Sequence, residues 1–70
     1  MTRIIEIIKN TLILKKQLLE QELEDAINSN SGSVEERVNK GVEVLEKISQ
    51  VTQSQSTLDS YINNNNNNTQ

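Results

Sequence analysis

Between Arg3 and Ile27 the apolar positions recur every three or four residues. At about 100° per residue, Ile4, Ile5, Ile8, Leu12, Leu19, Leu23, Ala26 and Ile27 gather on one side of a helix. Lys16 interrupts that stripe, but its long stem can lie along apolar surface while the ammonium stays in water. Ile7, Leu14 and Leu18 form a second, shorter stripe on the opposite side. A helix that is apolar on two sides is usually covered by more than one neighbour. The pattern therefore predicts a helix over 3–27 and partners beyond the rest of the chain. Thr2 is placed to cap this helix, and Glu6 lies near its positive end.

The polar run Asn28-Ser29-Asn30-Ser31-Gly32 breaks the pattern. Asn and Ser side chains compete with the backbone for hydrogen bonds, and Asn or Gly can take a left-handed C-cap conformation. A loop over 28–32 suits two antiparallel helices. Ser33-Val34-Glu35-Glu36 then fits a capping box, with Ser33 and Glu36 satisfying each other's backbone N–H. Two glutamates in that first turn also suit the helix dipole.

From there the apolar positions follow a seven-residue repeat. With Val34, Gly41, Ile48, Gln55 and Ile62 as position a, Arg37, Val44, Val51 and Leu58 fall at d. Val38, Val42 and Leu45 widen the apolar face of the first half. A sustained repeat of seven favours a coiled-coil-like pairing. The run from Thr52 to Thr57 has poor helix propensity, so the second helix is expected over 33–51 with a weaker continuation to 62. Asn63 to Asn68 is a homopolymer with nothing to bury, and 63–70 reads as a disordered tail. Folded about the loop centre, Lys15 and Lys16 would approach Glu43 and Glu46. Glu24 and Asp25 would then meet Glu35 and Glu36, a repulsive acidic end that a basic partner would relieve.

The fold class expected is thus all-α, a two-helix antiparallel hairpin over 1–62. Composition narrows what it can do. Only 33% of the 70 residues are hydrophobic and Tyr61 is the sole aromatic, too little to stabilise two helices alone. Cysteine and histidine are absent, which leaves no disulfide and no thiolate or imidazole metal ligand. The net charge is −3 and the middle of the chain is acidic, which argues against a nucleic-acid surface. No apolar run approaches the length of a membrane span or a signal peptide, so the expected location is intracellular, in the cytoplasm.

No catalytic arrangement stands out. Nucleophile and base pairs lack His and Cys, and Glu20, Glu22, Glu24 and Asp25 read as a solvated face. No phosphate loop or calcium loop pattern occurs. The expectation is therefore no enzyme, no cofactor, no metal and no small-molecule substrate.

Val51-x-Gln53 followed by Leu58-Asp59-x-Tyr61 resembles the end of a long helix in small subunits of the lysosome-related-organelle biogenesis complex. That family's helix continues with charged residues where this chain turns to asparagine. Size and two-helix plan are also similar to small kinetochore ring-complex subunits, without a shared motif. Neither resemblance identifies a family.

The expected function is a small helical subunit or adaptor, pairing with other helical proteins or with itself. Its expected partner interface comprises Ile5, Ile8, Leu12, Leu19, Leu23, Val34, Val38, Val44, Leu45, Ile48, Val51 and Leu58. The alternatives are a membrane-surface or targeting peptide using the basic, isoleucine-rich start, or a short chain with no dedicated role.

Overall fold

The computed structural model describes residues 2–68, with side chains described for 3–64. Two helices, α1 (Thr2–Asn28) and α2 (Val34–Asn68), pack against each other as an all-α hairpin. The molecule measures 56 × 17 × 12 Å, two helices wide and one helix thick. A single layer of this kind leaves each helix with one covered side only.

The loop and the start of α2 follow from local chemistry. The Ser33 Oγ accepts from the Glu36 N–H at 3.1 Å, and Glu36 Oε1 accepts from the Ser33 N–H at 3.2 Å. The Ser33 carbonyl accepts the first helical bond, from Arg37 N–H. This is the expected capping box, with Glu35 and Glu36 in the first turn. Gly32 takes the left-handed conformation, with φ of 84°, just before the cap. It serves the entry to α2 rather than the end of α1. The last turn of α1 is instead closed from across the hairpin, where Arg37 Nη2 donates to the Ile27 carbonyl at 2.8 Å. At the other end, α1 has no acidic residue in its first turn, because Glu6 comes too late for that role. The Thr2 side chain lies outside the described residues.

Along α2 the positions turned away from solvent are Arg37, Gly41, Val44, Ile48, Val51, Gln55, Leu58 and Ile62. Their spacing of four and three residues is that of the seven-residue repeat, and it carries through the polar run from Thr52 to Thr57. Val34, the first member of the repeat, is exposed because it sits on the opening turn beyond the end of α1. In α1 the corresponding positions are Ile5, Leu12, Lys16, Leu19, Leu23 and Ala26, joined by Glu22. Among the described residues the buried hydrophobic core is Val44, fully enclosed, and Val51 at 9% exposure.

Two expectations change. The helix does not stop at Val51 or Ile62 but continues to Asn68. Once a helix is nucleated each further residue adds a hydrogen bond, and asparagine costs well under about 1 kcal/mol relative to alanine. The expected tail over 63–70 thus falls partly on this helix, while Thr69 and Gln70 lie outside the described residues. The register also differs from one centred on the loop. Lys40 meets Glu22 and Arg37 meets Ile27, pairs whose residue numbers sum to 62 and 64, against 60 for folding about the loop centre.

Candidate interaction surfaces

The shift in register rearranges the charges. Lys40 Nζ lies 2.9 Å from Glu22 Oε1 across the hairpin and 3.7 Å from Glu43 Oε1 within its own helix. Lys47 Nζ approaches Glu43 from the other side at 3.6 Å. Among the described residues Lys15 and Lys16 make no ion pair with Glu43 or Glu46, and the expected favourable zone is absent. Asp25 accepts from Gln21 within α1 and Glu36 is held by its cap, while Glu24 and Glu35 make no ion pair among the described residues. The hydrogen bond from Lys40, and then its charge, hold the Glu22 carboxyl below the usual carboxylate range. Reciprocally, the hydrogen bond to Glu22 and its charge raise Lys40.

Of the expected interface residues, Ile5, Leu12, Leu19, Leu23, Val44, Ile48, Val51 and Leu58 turn into the seam between the two helices. They hold the hairpin together. Ile8, Val34, Val38 and Leu45 remain exposed. Ile4 and Ile27, grouped with the inward stripe by sequence, also lie at its exposed margins. A 100° wheel spreads over a broader arc than one neighbouring helix can cover.

Three apolar surfaces stay open. The first is the outward side of α1, where Ile4, Ile7, Leu14 and Leu18 are exposed. Thr11 continues that row. Its hydroxyl donates to the Ile7 carbonyl at 2.7 Å, so the row meets no unsatisfied polar group there. The second is a groove of about 370 Å³ at the loop end, lined by Leu23, Ile27, Val34, Val38, Val42 and Leu45 among others. Gly41 and Arg37 form part of its wall. A Cβ at Gly41 would meet nothing within 4 Å, so the groove is open there. Arg37 Nε is buried without a hydrogen-bond partner, although its Nη2 is bonded to Ile27. The third is a wider groove of about 700 Å³ towards the open end, between Ile8 and Leu12 on one helix and Gln50, Ser54, Leu58 and Tyr61 on the other.

Ile7, Leu14 and Leu18 had a visible signal in the sequence, since they repeat at helical spacing opposite the main stripe. Val42 was read with Val38 and Leu45 as widening the apolar face of α2, whereas Ile13 and Tyr61 had no such signal, because their exposure depends on which side the neighbouring helix covers. Among the described residues no group of acidic side chains is arranged to hold a metal ion, and no helix is long and apolar enough to cross a membrane. No protein-family model, curated protein or solved structure matches this chain.

Proposed function

We propose that the chain is a non-enzymatic helical subunit that lends both helices to a larger coiled-coil or bundle assembly. One observation carries this reading. Among the described residues the enclosed core consists of Val44 and Val51, while the outward row of α1 and the groove beside Val38 and Val42 remain open to solvent. Contiguous exposed apolar surface of this kind marks a contact surface, and a two-residue core gives little stability to a free hairpin. The partners in this proposal are helical proteins or further copies of the chain, in a cytoplasmic setting.

The test is on the isolated chain. Far-UV circular dichroism should show weak helicity that rises with protein concentration, because association stabilises the folded form by mass action. Affinity purification from the native cell should recover a defined set of helical proteins, or the chain itself in multiple copies. A cooperative melt independent of concentration, from a chain proven monomeric, would sink the proposal. Recovery in a membrane fraction dependent on residues 1–16 would favour the membrane-surface alternative instead.

A further inference from the structure

The two flanks of the hairpin carry their charges differently. On one, Glu22, Lys40, Glu43 and Lys47 neutralise each other in a chain of ion pairs. On the other lies the loop-end groove, and its borders are acidic. Glu20 and Glu24 stand three or four residues from Leu23 and Ile27 along α1, while Glu35 and Glu46 stand at the same spacing from Val38 and Val42 on α2. All four are exposed, and none belongs to an ion pair among the described residues. An apolar floor between unpaired carboxylates suits an amphipathic helix whose own apolar row is bordered by cations.

The chain possesses such a helix. The outward row of α1 runs through Ile4, Ile7, Thr11, Leu14 and Leu18, with Arg3 on one border and Lys15 on the other. No carboxylate borders this row over residues 3–18, since Glu6 lies round the helix on the side of Ile13. Among the described residues neither Arg3 nor Lys15 takes part in an ion pair. The lengths also agree. At 1.5 Å per residue the row from Ile4 to Leu18 spans about 21 Å, and the groove from Val34 to Leu45 about 17 Å.

We infer that the occupant of the loop-end groove is the outward face of α1 from a second copy of this chain. The inference rests on the subunit reading above and specifies its partner. One contact then covers two of the open apolar surfaces and sets Arg3 and Lys15 near the acidic borders. The alternative of groove against groove would bring Glu20, Glu24, Glu35 and Glu46 towards their own copies, a like-charge meeting. Because the contact joins two different surfaces it is heterologous, so copies add head to tail into a ring or an open series.

A heterologous contact has a signature in mixtures of variants. One variant carries Leu14→Gln and Leu18→Gln in the outward row, and the other carries Val38→Gln and Val42→Gln in the groove. All four positions are exposed, so the seam is untouched. In sedimentation velocity on the full chain, the unmodified protein should shift to larger species as its concentration rises. Each variant alone should lose this shift and stay monomeric. Mixed, the two should form a one-to-one dimer, since one supplies the intact groove and the other the intact row. Added salt should weaken that dimer.

Self-association that survives in the groove variant but not in the row variant would indicate row against row, and would overturn the inference. A mixture that stays monomeric would overturn it as well. If every form is monomeric while affinity purification still recovers helical proteins, self-pairing fails and the subunit reading stands.

Discussion

At the loop end Lys40 reaches Glu22 across the helices, Arg37 reaches the Ile27 carbonyl, and Ser33 and Glu36 lock the first turn of α2. Towards the open end, past Val51, no hydrogen bond or ion pair joins the two helices among the described residues. There the seam is Ile5, Leu12, Gln55, Leu58 and Ile62, each half-buried, beside a groove of about 700 Å³. The loop half is held by directed polar contacts close in sequence to the turn. The open half depends on apolar contact alone, and a hairpin one layer thick supplies little of it. The difference implies that the open half opens first and gains most from a partner.

The largest effect should come from the point where the halves meet. Replacing fully enclosed Val44 by Asp places an unpaired charge in the seam, which costs several kcal/mol and exceeds what the hairpin has to spare. Far-UV helicity should collapse for Val44→Asp and stay near the unmodified value for Ile13→Asp, an exposed site outside both the outward row and the loop-end groove. Equal losses at both sites would remove the distinction between seam and surface.

Arg37→Ala comes next. It leaves the Ile27 carbonyl without its cross-hairpin donor, and a hydrogen bond from a charged group is worth about 1.5–3 kcal/mol, at the lower end near solvent. Amide exchange should rise in the last turn of α1 ahead of the rest. Ser33→Ala removes the N-cap of α2 at a cost of about 1 kcal/mol, seen as a lower midpoint in thermal melting. Gly41→Ala should act in the other direction. Its Cβ has open space, and the gain in helix propensity is about 0.5–1 kcal/mol. A fall in melting temperature for Gly41→Ala would show that something already occupies that wall of the groove.

The smallest effect is electrostatic. Because Glu22 titrates below the usual carboxylate range in the folded chain, its share of stability is present above the unfolded-state value and is lost as pH falls through the depressed one. Lys40 is raised, so its share is present below the unfolded-state value and is lost only as pH climbs through the raised one. The pair therefore stabilises the loop half across the neutral range, weakly, because both groups face solvent. Titration of the Glu22 carboxyl by NMR should return to the ordinary range in Lys40→Ala. A carboxyl that stays depressed without Lys40 would shift the cause to Lys47, which also lowers it.

Sequence alone determined the elements whose information is local. The capping box at Ser33 and Glu36 is fixed by four consecutive residues, and the break at 28–32 by side chains that compete with the helix. The inward positions of α2 were legible because a repeat of seven encodes one face, whatever lies opposite. Tertiary structure decided everything that required knowing the opposite helix. The register is marked by Lys40 against Glu22 and Arg37 against Ile27, and the seam encloses Val44 and Val51. That register sets Lys40 against Glu22 across the hairpin, while among the described residues Lys15 and Lys16 pair with neither Glu43 nor Glu46. It also turned Leu12 and Leu19 inward while leaving Ile8 at 41% exposure and Val38 in an open groove. Spacing along one helix states which side chains share a face. How much of that face is covered depends on the width and phase of its neighbour, and a single neighbour covers only the seam.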